Sequence, residues 1–429
     1  MRPAPYVSRM SLESAEALTA EDVIDPVRYA REGYPHQAWR LLRREAPIRW
    51  FDMGDRSGFW AVTRRADLVE ISKQPSLFQI GPRQAVFADS PPPSERPEPG
   101  PLVRNLLNMD PPEHALYRKA GSAWFTPRAI ESRRPEIERL CGELLDEMAG
   151  DGEETLADFV QRLAAPLTLS VLADMLGVPR SDWELMFRWT NEFAGAGDPE
   201  FSADRSVAET VRHAREGLFG YFGELAKLRR GSPRNDIVSV ISNAAVRGEP
   251  IADFELLSYF ALLVVAGNET TRNAASGGLL ALIERPDQLA RLQREPALIN
   301  TAVEEMVRWT SPVIQFCRTP WEDVELQGRR IRAGESLCLF YPSANRDEAV
   351  YQDPDVFRVD RRPNPHVGFG IGEHFCLGAS LARIELRVIF SQLARRLRSV
   401  ELAGPVERVQ SSFLGGVKRM PIRYRLGPA

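Results

Sequence analysis

Of the four cysteines in the 429-residue sequence, one carries the strongest chemical signal. Cys376 sits in His366-Val-Gly-Phe-Gly-Ile-Gly-Glu-His-Phe-Cys-Leu-Gly, with three glycines before it and Gly378 two residues after. Glycine admits positive φ and lets a backbone approach a flat ligand closely. Backbone N–H groups in such a loop can point at a sulfur and moderate its charge. An amphipathic stretch, 379–397, follows directly, so Cys376 lies at or near a helix N-terminus, a position that favours a thiolate. A thiolate can ligate a metal or attack as a nucleophile. No histidine–asparagine arrangement accompanies it to support the nucleophile. A buried, inert cysteine beside a glycine turn is the plain alternative.

Three other groups have spacing that could do chemistry. In Ala266-Gly267-Asn268-Glu269-Thr270-Thr271 an acid precedes an alcohol, a pair able to relay protons. It interrupts an otherwise apolar helical run, which argues against a simple solvated patch. Glu305 and Arg308 stand at i, i+3, a spacing that many helices use for ion pairs. His114 and Arg118 stand at i, i+4 and share a helix face, where Arg offers a fork for carboxylates.

These side chains need elements to position them. Apolar residues recur at i, i+3, i+4 over 130–148, 163–176, 210–227 and 254–285, and Pro286 stops the last run. Strand-like pieces fall at 47–51, 59–63, 324–327, 335–340 and 420–424. The stretch 83–101 is dense in proline, serine and charge, a functional or disordered loop. Residues 1–22 read as a loose N-terminal tail, and 23–429 as a single, mostly helical domain with a minor sheet lobe.

Composition excludes several classes. A formal charge of −4 argues against bulk attraction to nucleic acid or anionic membrane. Leu256 to Gly267 is the most apolar run, too short to span a bilayer, and no signal peptide or anchor opens the chain. Sparse cysteines without a C-x-x-C pair fit a cytoplasmic protein with neither disulfide framework nor zinc site.

The segment Phe369-Gly370-Ile371-Gly372-Glu373-His374-Phe375-Cys376-Leu377-Gly378, continued by Leu381, Ala382, Arg383 and Glu385, resembles the haem-binding signature of the cytochrome P-450 family. Ala266 to Thr271 resembles its oxygen-activation motif, and Glu305-Met306-Val307-Arg308 its E-x-x-R helix. Asp353-Pro354-Asp355-Val356-Phe357 with Arg361 resembles its meander. Asp110 to Arg118 resembles the start of the helix that meets the haem propionates. The resemblance runs from about residue 68 to the C-terminal strands. It implies the family's triangular fold, mainly α with a small β lobe (α+β), around a buried haem b (iron protoporphyrin IX).

By the same resemblance, Cys376 is the axial iron ligand, in a loop where Phe369, Gly370 and Gly378 surround the cofactor. His114, Arg118, Arg318 and His374 meet the propionates. Gly267, Glu269 and Thr270 serve oxygen activation, Gly267 by leaving room over the iron. Glu305, Arg308 and Arg361 form a structural ion network behind the haem. Phe87, Leu262, Val265, Val313, Ile314, Phe413 and Leu414 line an apolar substrate pocket. The implied activity is a haem-thiolate monooxygenase that uses O2 to hydroxylate a sterol, terpene, branched lipid or polyketide-like molecule. Electrons would come from a separate ferredoxin and ferredoxin reductase, docking on a patch drawn from Arg118, Lys119, Arg128, Arg383 and Arg387. Two rivals stand beside it. One is a peroxide-using or non-oxygenating haem-thiolate enzyme; the other is a haem-based sensor without turnover.

Overall fold

The longest helix is built from the apolar run that sequence alone marks as buried. A computed structural model describes residues 14–54, 56–86, 103–149 and 153–428 of the chain. Within it, seven helices bear on the site: α1 (Glu113–Ser122), α2 (Ala165–Leu176), α3 (Trp183–Ala194), α4 (Val207–Gly231), α5 (Asp253–Ile283), α6 (Ile299–Thr310) and α7 (Ala379–Arg396). Asp253 and Glu255 favour the positive N-terminal end of α5, and Pro286 lies just beyond its C-terminus. The other helices pack round α5, burying Phe260, Val264, Ala275, Leu279, Met306 and Ile389 in one large core.

Two sheets flank this helical body. The larger has the order β1-β2-β6-β5-β3, from β1 (Ile48–Met53), β2 (Arg56–Val62), β3 (Phe78–Gln79), β5 (Gln315–Pro320) and β6 (Leu337–Phe340). Its β2–β6 pair is parallel and its other pairs antiparallel. The smaller sheet sets β8 (Pro421–Leu426) between β7 (Leu397–Leu402) and β4 (Thr155–Asp158). The chain is thus mainly α with small β regions.

Three differences from the sequence reading have physical causes. Residues 14–22, read as part of a loose tail, are packed in place. Ala15 and Leu18 are buried against the sheet and the helix His36–Glu45, and the Ala15 N–H donates to Glu45 Oε2 at 2.8 Å. The run 130–148 divides into Pro127–Glu131 and Arg134–Ala149. The run 163–176 begins as a π turn, Val160–Ala164, before α2. Pro166 lacks an N–H and its ring crowds the carbonyl four residues back, which the wider turn relieves.

Candidate active site

Cys376 is free and solvent-reachable, three residues before α7 begins. Its N–H donates to Phe369 O at 2.9 Å, and the Gly370 N–H to Val367 O at 2.9 Å, which folds the loop back on itself. Gly372 takes φ +75°, and a Cβ there would lie 2.3 Å from Ser72 O, so only glycine passes this point. Protein mass around the sulfur pushes the Cys376 thiol up. The backbone of Gly378, then Arg118 and Arg383, pull it back down. A negative sulfur is therefore costly to form alone, and a bound cation would offset that cost.

Polar groups collect beside the loop. The His114 and His374 rings lie 4.3 Å apart, and His114 Nδ1 is 3.0 Å from Glu373 Oε1. Arg118 Nη2 donates to Phe375 O at 2.7 Å, tying α1 to the cysteine loop. Arg318 is buried on β5 and donates to Cys317 O at 2.8 Å. Burial first, then Arg318 and His114, hold His374 down at about 3. His114 Nε2 and His374 Nδ1 are buried without a hydrogen-bond partner. A cationic cluster with orphaned ring nitrogens fits a ligand that brings carboxylates. A free thiol beside such a cluster is the donor set a haem needs. Among the described residues, no three His, Cys, Asp or Glu side chains converge to hold a metal without such a macrocycle.

Behind the loop, Glu305 is the hub of a fully buried ion network. Arg308 donates to its two oxygens at 2.7 and 2.8 Å, and Arg361 Nε at 3.0 and 3.1 Å. Arg308 Nη1 also donates to Asn345 O at 2.8 Å, while Asn345 Oδ1 accepts from the Val367 N–H at 2.8 Å. The network thereby reaches the residue that starts the cysteine loop. Glu305→Gln leaves two buried guanidinium groups uncompensated. A loss of about 3–5 kcal/mol is expected, read as a lower denaturation midpoint, and an unchanged midpoint would refute the hub role.

A second group went unseen in the sequence. Glu304 accepts from Arg383 at 2.7 and 2.8 Å and lies 2.9 Å from His366 Nε2. Burial pushes its carboxyl up, but Arg383 and His366 outweigh that and hold it at about 2. Arg383 also covers the Phe369 ring at 4.4 Å. Arg383, expected in a docking patch, is half-buried, with its guanidinium engaged by Glu304 and Phe369. Lys119 and Arg128 are exposed.

On α5, Leu262, Val265 and Thr270 are half-buried and Ala266 is exposed, whereas Leu263, Val264, Asn268, Glu269 and Thr271 are buried. The spacing 262, 266, 270 marks one open stripe. Thr270 Oγ1 donates to Ala266 O at 2.8 Å, which leaves its lone pairs free to accept. Gly267 differs from expectation. A Cβ there would meet Leu172 of α2 at 3.1 Å, so this glycine serves close packing with α2, and Ala266 holds the open position.

Glu269 points away from that stripe. Its Oε2 accepts from Arg272, whose Nη1 donates to Asn191 Oδ1 of α3 at 3.0 Å, and its Oε1 has no partner. Burial raises the Glu269 carboxyl, with Arg272 opposing. Arg272 and Asn191 in turn line a cleft of about 350 Å³ with Phe187, Glu200 and Lys418. A path from the acid toward this cleft thus begins at a buried ion pair.

The apolar positions divide. Val313 bridges to Leu414, and Phe413 packs on Phe316 at 5.3 Å, a residue the sequence reading omitted. Ile314 is fully buried with Trp39 and Phe340 on the far side, because neighbouring strand residues face opposite ways. It is corrected to a core residue. Phe87 lies outside the described residues.

The comparisons agree with this geometry. A family model described as Cytochrome P450 matches residues 151–414. The linalool 8-monooxygenase of Pseudomonas putida is 37% identical, covering 94% of this chain and 98% of its own. The methyl-branched lipid omega-hydroxylase of Mycobacterium tuberculosis is 38% identical, covering 90% of each. The crystal structure of CYP108D1 from Novosphingobium aromaticivorans superposes with a TM-score of 0.85 at 35% identity, over 95% of this chain and 98% of its own. On the cysteine loop, the buried network behind it and similarity along nearly the whole length, the chain belongs to the cytochrome P450 family and is a haem-dependent monooxygenase.

Proposed function

We propose that the protein uses O2 on a haem b ligated by Cys376 to hydroxylate a hydrophobic small molecule, a terpene, branched lipid, sterol or polyketide-like compound. The observation that carries this reading is the stripe of Leu262, Val265, Ala266 and Thr270, open on a helix otherwise sealed into the core. Three of its four side chains are apolar and the fourth is an alcohol. It therefore offers a substrate wall with one proton-handling group in it. The relatives named above act on a terpene alcohol and a branched lipid, in keeping with such a wall.

Each residue then has a task. Cys376 would ligate the iron, within the loop of Phe369, Gly370 and Gly378. His114, Arg118, Arg318 and His374 would hold the propionates. The bound haem supplies oxygen binding and the oxidising power, and a thiolate ligand favours O–O cleavage. Thr270 Oγ1, its own proton committed to Ala266 O, would accept a hydrogen bond from a molecule held against the open stripe and so orient a proton there. Glu269 is the next proton-handling group, its carboxyl raised by burial against the opposing charge of Arg272, and Arg272 links it to the outer cleft. Val313 and Phe413 close the substrate side with Leu414 behind them.

Within this reading residues 14–22 pack as part of the single domain that continues through 23–429, and the protein is cytoplasmic. Among the described residues, no helix is long and apolar enough to cross a membrane. Electrons come from a ferredoxin and its reductase, with exposed Lys119 and Arg128 beside half-buried Arg118 near the cysteine loop. The test is spectral titration followed by turnover. Terpenoid and branched-lipid probes should shift the haem toward high spin, and small charged molecules should not. Product should then form with oxygen uptake when a ferredoxin pair is supplied. Tight binding of a highly polar probe would show the pocket misread. Turnover with hydrogen peroxide alone would move the protein to the peroxide-using class.

A further inference from the structure

Glu304 and Glu305 are neighbours on α6 and serve opposite sides of it. Glu305 feeds the Arg308–Arg361 network, whereas Glu304 turns about 100° away toward α7. There it meets Arg383 in a two-pronged pair, Nε to Oε1 at 2.7 Å and Nη2 to Oε2 at 2.8 Å. His366 completes the group. Its Nδ1 accepts from the Gly368 N–H at 3.2 Å, so Nε2 carries the proton donated to Glu304.

Arg383 therefore stands between a carboxylate and the cysteine loop. Its guanidinium lies 4.4 Å from the centre of the Phe369 ring, and the carbonyl of Phe369 holds the Cys376 N–H at 2.9 Å. Its charge is felt at Cys376, where it favours the thiolate. Whatever Glu304 cancels of that charge is withdrawn from the sulfur. Arg387, one turn further along α7, faces Glu304 as well and weakens each effect without changing its sign.

We propose that Glu304 tunes the electron-donating strength of Cys376 by neutralising Arg383. It is a positioning residue, acting through the arginine. The inference rests on Cys376 being the iron ligand. Glu304→Gln leaves an uncancelled positive charge beside the loop, which stabilises the reduced state. Arg383→Gln leaves the negative charge instead and does the reverse. The double variant removes both charges and returns close to the wild type.

The experiment is redox titration of the purified haem-loaded protein, with thermal unfolding and the ferrous carbon-monoxide spectrum recorded for each variant. Glu304→Gln should raise the midpoint potential and Arg383→Gln should lower it. Each shift should be roughly threefold to tenfold in the reduction equilibrium, where tenfold is 59 mV for one electron. Arg383→Lys keeps the charge but loses the two-pronged geometry. It should hold the potential near wild type while lowering the unfolding temperature. Shifts of the same sign in both single variants, or a lysine variant that shifts like the glutamine one, would mean a purely structural brace and overturn the proposal. A wild type without the thiolate band would instead remove the ligand assignment, and this inference with it.

Discussion

Cys376→Ser is expected to abolish the red-shifted Soret band of the ferrous carbon-monoxide complex and, with it, monooxygenase turnover. A serine alkoxide is far more basic than a thiolate, so groups that offset the cost of an ionised sulfur here are too weak to ionise a hydroxyl. The structure invests instead in a sulfur: the Gly378 backbone, Arg118 and Arg383 all favour its negative form against burial. Loss of a supporting contact at a metal site costs roughly 10–100-fold, so loss of the ligand itself should exceed that. The loop and the Glu305 network do not depend on the sulfur, so the variant should still fold. A variant that keeps the band would remove Cys376 from the iron.

Thr270→Ala and Glu269→Gln should fail in different ways. Thr270 stands on the open stripe of α5 and Glu269 does not, so only the threonine can touch a molecule bound there. Without its hydroxyl, haem content and substrate binding should persist while reducing equivalents drain into hydrogen peroxide. Glu269→Gln removes a carboxyl whose proton affinity burial has raised. That carboxyl holds its proton to a higher pH than an exposed glutamate does, and loses it as pH climbs through the raised value. Wild-type coupling should therefore fall along an alkaline limb. In Glu269→Gln the limb should flatten, with a larger solvent isotope effect. Losses of roughly 10²–10⁴-fold bound either effect. Product formed per NAD(P)H consumed is the measurement. Full coupling in Thr270→Ala would mean that oxygen activation bypasses this alcohol.

What the sequence made legible was whatever lies contiguous in it. The cysteine loop, the acid–alcohol pair and the Glu305–Arg308 spacing are each read from a few adjacent residues, and each stands in one element. Arg383 and Glu304 are 79 positions apart, and His366 and Glu304 are 62, so no spacing rule announces them. Asn345 was missed for the same reason, since its side chain matters only where the short helix Tyr341–Ala344 after β6 brings it to Val367 and Ser311. Errors of direction had another origin. Ile314 and Gly267 fall in the right segments, but which way a side chain points is decided by neighbours such as Trp39 and Leu172. Residues 14–22 looked loose because so short an apolar set has no period. It is ordered only by the sheet and helix beneath it.

The division of α5 into one open stripe and a sealed remainder has a bearing on how this enzyme can diversify. Leu262 and Val265 pack on the edge of the core and Ala266 is exposed, so exchanging them should reshape the open stripe at smaller cost to folding than exchanging sealed residues. Phe260, Val264 and Leu279 are sealed in the core. Selection can thus act on ligand choice and on robustness nearly independently, along a single helix, with the two sets of positions interleaved.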